Sequence, residues 1–530
     1  MTHQTDVDVL IVGAGPTGLT LACLLQQYGV KFKIIEKNKT ITTRSKALAV
    51  QARTLELFEQ LGIAEKAIEP GHPAEGLDLV VRGKLRATVD LITYGRGLTK
   101  YPYLLILEQC KTEQLLWEKL KTQGSEVEWQ KELVELQLHA DSVTAVIHEF
   151  EKLEIIQAKY IVAADGARSA VRTLLRIPFE GETYENRFLL ADVALRGNIS
   201  RHHITLCLSQ QGFAGFFPMY GTRRFRAIGI LPDDVPENAD KEFETIAKKI
   251  AEQAQVPMTL SDPLWISTYK LHHRSIPHFK VQRCFFAGDA AHVHSPAGGQ
   301  GMNTGIQDAF NLAWKISWVL EGRARENLLE TYHEERFPIA KKLLRSTDRV
   351  FGFVTGRSAW LRFLRLYILA SVLKTLVKSR TFRSFIFRTV SQIGIHYRQS
   401  KLSEQCFCSD SVRKAGDRLC EEVLDGSFQA YVVGGQQAQR EATDILRRYF
   451  EVRIKIYTLD KKPDIYSVFQ TFGIYKDGLI LVRPDGYVSY CSDGFNSLAL
   501  LNYLNRFFLP KDFDLEKERE QPFQTENFIY

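Results

Sequence analysis

The chain has 530 residues, of which 45% are hydrophobic and 25% charged, an ordinary composition for a globular protein. Because this length exceeds the roughly 250–300 residues that one hydrophobic core supports, we expect two or three domains. The net charge of +7 is mild for a chain of this length and does not by itself indicate a nucleic-acid partner, which we do not expect. The absence of a run of about 18 uncharged apolar residues, and of a signal-peptide pattern at the N-terminus, predicts a cytoplasmic protein with no integral membrane segment.

The first predicted element is a compact apolar strand over residues 6–12, which runs into Gly13, Gly15 and Gly18 and then into leucines at helical spacing. In this setting the GxGxxG fingerprint binds a dinucleotide. The first glycine makes the turn, the second admits the pyrophosphate, and the third lets helix and strand pack closely. A strand over residues 31–35 then ends in Glu36, placed to bind a ribose hydroxyl. A tight βα turn without a ligand is the alternative.

A further strand-like run over residues 160–164 ends in Asp165 and Gly166, with Arg168 and Arg172 shortly after them. An acid–glycine turn followed by arginines suits phosphate and ribose binding, because the guanidinium fork matches phosphate oxygens. A surface turn with solvated arginines is the alternative.

The segment over residues 179–280 alternates apolar and polar residues in short runs, which predicts an antiparallel sheet. Phe213, Phe216 and Phe217 cluster within it. They are predicted either to form the core of the sheet or, in part, to face a cavity for an aromatic ligand.

A short buried strand over residues 284–287 precedes Gly288 and Asp289. Gly288 would let the chain bend so that Asp289 accepts hydrogen bonds from a polyol such as a ribityl chain. The helix that follows would point unpaired N–H groups at the electron-rich edge of a planar ring; it begins around Gly301, Met302 and Asn303. An ordinary strand–loop–helix joint is the alternative.

Residues 360–400 are predicted to be helical and basic, either as a membrane-surface helix or as a packed amphipathic pair linking two domains. From residue 404 onward, strands are predicted at 452–457 and 479–482, the second leading into a Pro-Asp-Gly turn. The eight cysteines are spread over the chain and predict reduced thiols. Cys406 and Cys408 lack CxxC spacing, so we expect two free thiols without redox function.

Together, the glycine fingerprint, the Asp165-Gly166 motif and the Gly288-Asp289 motif resemble those of the flavoprotein aromatic hydroxylases, the single-component FAD monooxygenases typified by p-hydroxybenzoate hydroxylase and phenol hydroxylase. The resemblance covers essentially the whole chain and implies an α/β fold. A Rossmann-like FAD-binding domain would comprise residues 1–178 and 281–400, ending in a helical linker, with a substrate-binding antiparallel-sheet domain inserted at 179–280. A thioredoxin-like domain would occupy residues 404–530, where the Arg-Pro-Asp-Gly-Tyr signature stands intact at 483–487.

The resemblance also implies site residues. The residues implied in FAD binding are Gly13, Gly15, Gly18, Glu36, Arg44, Gln109, Asp165, Gly288, Asp289, Gly301, Met302 and Asn303. Those related to NAD(P)H are Asp165, Arg168 and Arg172, and those of the substrate pocket are Phe213, Phe216, Phe217 and Pro296. His292, beside the second motif, is interpreted as a structural or flavin-orienting histidine. The sequence marks neither a metal site nor the acid or base that would activate the substrate.

The activity implied is that NADH or NADPH reduces FAD, that dioxygen adds at the flavin C4a carbon, and that the hydroperoxide passes an oxygen to a phenolic or polyketide-like ring. The expected partners are a small aromatic substrate and dioxygen, and a homodimer is compatible with the sequence. Two alternatives stay open. One is a flavoenzyme of the same fold that modifies an antibiotic or reduces a double bond; the other is a non-catalytic flavoprotein partner.

Overall fold

The computed structural model describes residues 3–43, 45, 47–210, 212–221, 223–231, 243–294, 299–356, 358–376, 378–406, 413–419, 426–458, 469–475 and 477–511. Arg44, Pro296 and Cys408, which the sequence analysis singled out, lie outside these residues. The chain divides into two compact units: Met1–Ala313 with Glu335–Ile395, and Trp314–Glu334 with His396–Tyr530. The second unit thus includes a helical segment that was predicted to belong to the FAD-binding domain.

The first unit contains an eight-stranded sheet with a parallel centre, which we call the nucleotide sheet. Its main path runs in the order β17 (Lys280–Val281), β18 (Cys284–Phe286), β11 (Lys152–Ala163), β1 (His3–Val12), β2 (Phe32–Glu36) and β8 (Glu128–Trp129). An antiparallel extension on β11 is formed by β10 (Val143–Glu149) and β9 (Glu132–Leu138). Strands β1, β11 and β18 are parallel neighbours, so their carboxyl ends meet at one edge.

A second eight-stranded sheet, the middle sheet, also belongs to the first unit. Its order is β19 (His292–Val293), β16 (Met258–Ser275), β12 (Glu180–Gly197), β15 (Arg224–Leu231), β14 (Phe213–Pro218), β13 (His203–Leu208), β5 (Gly76–Val81) and β6 (Lys84–Asp90). The β5–β6 hairpin comes from residues that were predicted to lie in the FAD-binding domain, and β5 pairs with β13 in parallel. The antiparallel pattern predicted for residues 179–280 is present, but the sheet draws strands from both sides of that segment.

The remaining strands of this unit, β3 (Ala49–Val50), β7 (Leu104–Ile106) and β4 (His72–Ala74), form a small antiparallel sheet. The helices up to the middle sheet are α1 (Pro16–Gln27), α2 (Ala52–Gln60), α3 (Ala64–Ile68), α4 (Leu91–Gly95), α5 (Gln109–Thr122), α6 (Ala170–Leu174) and α7 (Phe243–Ala254). Those that follow are α8 (Gly301–Leu320), α9 (Asn327–Thr355), α10 (Ala359–Phe363), α11 (Leu369–Leu376) and α12 (Arg380–Val390), with a 3-10 turn at Gly288–Ala290 and a π-helical turn at Leu364–Ile368.

The second unit is built on a five-stranded mixed sheet in the order β20 (Glu404–Cys406), β24 (Val488–Asp493), β23 (Gly478–Val482), β21 (Phe428–Val433) and β22 (Ile454–Thr458). The helices packed with this sheet include α13 (Gln436–Phe450), between the parallel strands β21 and β22, and α14 (Ser497–Phe507). The guanidinium of Arg483 is fully buried and pairs with Asp485 inside the Arg-Pro-Asp-Gly-Tyr segment. This motif therefore stabilises the β23–β24 connection from within.

The fold confirms the predicted α/β class, with parallel and antiparallel sheets in one chain. Among the residues with assigned structure, no helix is both long and apolar enough to span a bilayer. The six cysteines within the described ranges are all free thiols.

Candidate functional site

The three sequence motifs converge at the carboxyl edge of the nucleotide sheet. A Cβ on Gly13 would lie 2.5 Å from the carbonyl oxygen of Ala164, which precedes the Asp165-Gly166 turn. A Cβ on Gly288 would lie 2.6 Å from Thr17 Oγ1 in the glycine loop. Segments far apart in sequence are thus in van der Waals contact, and only glycine fits at these contacts.

The glycine loop has the geometry of a pyrophosphate site. Gly13 has a φ of +104°, and a Cβ on Gly18 would lie 1.9 Å from the Gly13 oxygen, so α1 approaches β1 closely. Gly15, by contrast, faces open space, with no described protein atom within 4 Å of a Cβ built there. No described side chain caps the N-terminus of α1. Uncapped helical N–H groups beside an open space fit the phosphates of a dinucleotide.

Glu36 closes one side of this loop. Its Oε2 accepts a hydrogen bond from the Ala14 N–H at 3.0 Å, and its Oε1 accepts one from the Asn38 N–H at 3.0 Å. The carboxylate therefore stands beside the glycine turn at the end of β2, where a ribose acceptor was predicted.

Gln109 and Glu113 tie the segment around residues 42–47 to α5. Gln109 Oε1 accepts the Ala47 N–H at 3.1 Å and its Nε2 donates to Glu113 Oε1 at 2.9 Å, while Glu113 Oε2 accepts the Thr42 N–H at 3.2 Å. Burial raises the pKa of Glu113 to about 7, and the charge of Glu36 acts in the same direction. The sequence analysis did not identify Glu113 as a site residue.

Asp165 organises the turn that carries it. Its Oδ2 accepts hydrogen bonds from the N–H groups of Ala170 at 2.7 Å and Val171 at 3.2 Å. Its other oxygen, Oδ1, is buried and has no partner among the described residues. Burial raises the pKa of Asp165 against the hydrogen bonds that oppose it. An acceptor with a spare lone pair at this place fits a hydroxyl or N–H group of a bound cofactor.

The two arginines of this motif differ in their surroundings. Arg172 is 8% exposed, donates to the carbonyl oxygens of Ala290 at 3.1 Å and Ala167 at 2.6 Å, and lies 3.9 Å from the centroid of the Phe179 ring. Its guanidinium joins the Asp165 turn to the Gly288–Ala290 turn, a structural contact that the sequence analysis did not foresee. Arg168 is exposed.

Behind the Gly288-Asp289 turn lies a buried charged network centred on Asp308 of α8. Asp308 accepts hydrogen bonds from the Gly288 N–H at 3.0 Å, from His292 Nε2 at 2.9 Å and from Arg336 Nε at 2.6 Å. Burial opposes its ionisation, yet the Arg336 guanidinium and His292 hold its pKa below the usual value. The network leaves Asp289 exposed at the front of the turn. Sequence reasoning missed Asp308 and Arg336; an acid within the apolar run of α8 was the available signal.

Asn303, in the first turn of α8, is a fully buried clamp. Its Nδ2 donates to the Ala49 oxygen at 2.7 Å and the Gly299 oxygen at 2.9 Å. Its Oδ1 accepts the Gln51 N–H at 2.9 Å and the Thr54 hydroxyl at 2.7 Å. The side chain has no capacity left for a ligand, so a contact from this part of the helix start would be made by backbone N–H groups. Gly301 and Met302 are partly exposed beside it.

Because side chains alternate along a strand, Phe216 of β14 lies on one face of the middle sheet and Phe213 and Phe217 lie on the other. Phe216 is fully buried in a cluster with Ile246 and Ile250 of α7, which removes it from the predicted pocket. Phe217 points to the other face, against a cluster that includes Leu48 and Ala49. Phe213 packs beside Leu208 and Leu366.

A row of four side chains crosses the middle sheet on the Phe217 face. Phe217, Arg226, Asp192 and Trp265 are successive cross-strand partners on β14, β15, β12 and β16. Asp192 binds the Arg226 guanidinium in bidentate fashion at 2.6 and 2.7 Å, and the guanidinium lies 5.3 Å from the Trp265 ring centroid. Arg226 is 1% exposed, and its Nη1 has no partner among the described residues. Sequence reasoning missed this pair, since two charges in alternating strands resemble a solvated face.

Comparisons with known proteins agree with this geometry. The family model "FAD binding domain" matches residues 6–347. The chain is 34% identical over 513 residues to 6-methylpretetramide 4-monooxygenase of Streptomyces rimosus, covering 91% of this chain and 90% of the relative. It is 33% identical over 360 residues to pentachlorophenol 4-monooxygenase of Sphingobium chlorophenolicum, covering 67% and 66%. The solved anhydrotetracycline hydroxylase of Streptomyces rimosus is 26% identical, with a TM-score of 0.76 and coverage of 96% and 100%.

The family predicted from the motifs is therefore confirmed. The open space at Gly15, the uncapped N-terminus of α1 and the spare lone pair of Asp165 fit FAD. The chain belongs to the FAD-binding domain family and is an FAD-dependent monooxygenase, an oxidoreductase.

Proposed function

We propose that this monooxygenase hydroxylates a phenolic or polyketide-type aromatic compound, with NADH or NADPH as the reductant. The observation that carries the proposal is the row Phe217–Arg226–Asp192–Trp265, which offers aromatic surface beside one buried cationic donor with a free N–H. A planar ring bearing an oxygen substituent suits such a surface. The relatives that by name act on 6-methylpretetramide and pentachlorophenol support this substrate class.

Bound FAD would supply the chemistry, taking electrons from NAD(P)H and activating dioxygen for transfer to the ring. The chain's own residues would bind and position. The N-terminal N–H groups of α8 would face the flavin, and the Asn303 clamp would fix that helix start against β3. Arg226, oriented by Asp192, would donate to an oxygen of the substrate. We assign no residue as the proton acceptor for the phenol.

The sequence contains a single GxGxxG fingerprint, so NAD(P)H has no Rossmann domain of its own. We propose that it docks transiently beside the Asp165 turn. Arg168, which is exposed there, is the candidate for a phosphate contact. Arg172 is buried, and its guanidinium donates hydrogen bonds to two backbone carbonyls. Its proposed role in NAD(P)H binding is therefore indirect, through the shape of the turn.

Turnover tests this proposal. The purified holoenzyme is incubated with NADH or NADPH and a panel of phenols and tetracyclic aromatic polyketides, and cofactor oxidation, oxygen uptake and product mass are recorded. We expect the holoenzyme alone to oxidise NAD(P)H slowly, and to do so faster when a suitable aromatic compound is present. The product should be heavier than that compound by one oxygen atom. Reduction of a double bond without oxygen uptake would indicate a reductase, and failure of every phenol and polyketide to stimulate oxidation would contradict the proposed substrate class.

We propose that the C-terminal unit is a thioredoxin-like module without dithiol chemistry. Its role would be structural or in subunit assembly, such as the formation of a homodimer of this FAD enzyme. The support is the arrangement of β21, α13 and β22 as a parallel βαβ unit, with β23 and β24 antiparallel beside it. Cys406 and Cys408 replaced together by serine should leave product formation nearly unchanged, because their spacing does not suit dithiol exchange.

A further inference from the structure

An exposed aromatic row runs along the helical segment that follows α9. Helix α10, the π-helical turn and α11 are continuous from residue 359 to residue 376, and we call this segment the arm. Trp360, Phe363 and Tyr367 on it are 65%, 47% and 47% exposed. Their rings stack successively, with centroids 6.0 and 5.2 Å apart and interplanar angles of 20° and 28°. Three large rings thus form one ordered apolar surface in water.

The π-helical turn extends this surface along the whole arm. In an uninterrupted α-helix, Trp360 and Val372 would lie about 120° apart around the axis. The extra residue of the π turn removes about 100° of that difference and brings the two onto one side. Ile368, Val372 and Leu376 are accordingly exposed by 38%, 45% and 38% and continue the aromatic row. Wide turns of this kind occur often at functional sites.

The opposite face of the arm is already packed. Leu366 and Leu369 lie against Val81, Leu208 and Phe213 at the edge of the middle sheet. Arg365 is buried and donates to the Phe353 oxygen at 3.1 Å and to the Val354 oxygen, which ties the arm to the end of α9. The exposed row is therefore not the core-facing side of a helix that has failed to dock.

The segment that carries the row is rich in cations. Residues 349–395 contain no Asp or Glu and nine Lys and Arg residues, and Arg349, Arg362, Lys378, Arg380 and Arg388 among them are exposed. Strand β6 packs beside α11 and carries the exposed cations Lys84 and Arg86, and the hairpin tip that precedes it adds the exposed Arg82. Arg82 lies 5.3 Å from the Tyr367 ring centroid, and Leu85 between these cations is 60% exposed.

We propose that the arm is a docking surface for an anionic lipid bilayer, on which it lies with its axis in the plane of the interface. An exposed stripe of Trp, Phe, Tyr and aliphatic side chains flanked by Lys and Arg is the pattern that inserts into the boundary between head groups and acyl chains. Anionic head groups pair with the cations around it. A second copy of the chain fits less well, because a two-fold interface would set this cationic patch against itself.

Vesicle flotation with the FAD-loaded full-length protein tests the proposal, using phosphatidylcholine vesicles with and without phosphatidylglycerol at low and high salt. The test variant is Trp360→Ser/Phe363→Ser. The matched control is Phe150→Ser/Leu153→Ser, which removes side chains that are 68% and 48% exposed on the β10–β11 hairpin of the same unit. Lys84→Gln/Arg86→Gln tests the charge. Circular dichroism and flavin content verify that each variant is folded, and sedimentation without vesicles gives the mass.

We expect the wild type and the control to float with the phosphatidylglycerol vesicles, and the arm variant to partition at least about tenfold more weakly because two apolar anchors are lost. The charge variant should bind more weakly at low salt, and high salt should weaken the wild type. The proposal fails if the arm variant and the control variant, both folded, bind equally well to the vesicles. It also fails if the wild type binds vesicles of pure phosphatidylcholine as well as it binds those with phosphatidylglycerol. It also fails if the wild type is a dimer that Trp360→Ser/Phe363→Ser converts to monomers, since the row would then be covered by a second copy.

Discussion

Asp308 and Gly288, twenty residues apart, are joined by a hydrogen bond in which the Gly288 N–H donates to the Asp308 carboxylate at 3.0 Å. The same carboxylate binds His292 and Arg336, so one buried charge fixes the turn that presents Asp289. Asp308→Asn would leave the Arg336 guanidinium buried without its counter-charge. We expect a loss of about 3–5 kcal/mol in the free energy of unfolding, and release of FAD at lower denaturant than in the wild type.

Urea titration followed by far-UV circular dichroism and by flavin fluorescence measures both effects. The control is Asp141→Asn, the same exchange at an exposed carboxylate on the β9–β10 turn, which should change stability by less than about 0.5 kcal/mol. If Asp308→Asn were as stable as Asp141→Asn, the network would not hold the turn.

Alanine substitutions at two glycines of the fingerprint should have different effects, one on the stability of the fold and the other on FAD binding. Gly18→Ala would place a Cβ 1.9 Å from the Gly13 oxygen, so α1 has to shift and the protein should be unstable. Gly15→Ala meets no described protein atom, and its backbone φ of −75° suits alanine, so the fold should persist. The new methyl group would instead occupy the space for the pyrophosphate. Melting temperature and FAD content measure the contrast, and a Gly15→Ala protein with full FAD content would contradict the placement.

The pKa of Glu113 predicts a pH dependence of stability. Its pKa is about 7 in the folded protein against an ordinary 4.5, because burial disfavours the charged form. Between these two pH values the folded state binds more protons at Glu113 than the unfolded state does. The stability that this carboxyl group contributes is therefore lost as pH rises through 7. We expect up to about 3 kcal/mol of such loss. Denaturation from pH 4.5 to 8 should show a smaller decline in Glu113→Gln than in the wild type; parallel curves would exclude the shift.

Arg226 and Asp192 are best tested together, because removing one alone leaves a buried charge. Arg226→Met/Asp192→Leu should fold and retain FAD, since apolar residues replace buried ion pairs at little cost. For the phenol that stimulates NAD(P)H oxidation most strongly, KM should rise about ten- to a hundredfold, as expected for a lost charged hydrogen bond. An unchanged KM would remove Arg226 from the substrate site.

The backbone features of the site could be predicted from the sequence because each is specified locally. Gly13, Gly18 and Gly288 occupy positions that other residues cannot fill, and strand and helix periodicity on either side of them is regular. The side-chain partners could not be predicted in this way. Asn303 meets Ala49, Gln51 and Thr54 across about 250 residues, and no local pattern encodes such a contact. Phe216 was predicted for the substrate pocket because the sequence does not give the strand register, which decides the face of the sheet on which this side chain lies.

The parallel pairing of β5 with β13 bears on the construction of chimaeric enzymes. Residues 203–208 bond to residues 76–81, although β11 with the Asp165-Gly166 motif lies between the two strands in the sequence. A graft of residues 179–280 from a relative would pair the incoming β13 with the recipient's own β5, so side chains that pack together across this seam, such as Leu77 and Ile204, would come from two different proteins. Exchange of substrate range between members of this family therefore requires the hairpin of residues 76–90 to be transferred along with the sheet that it completes.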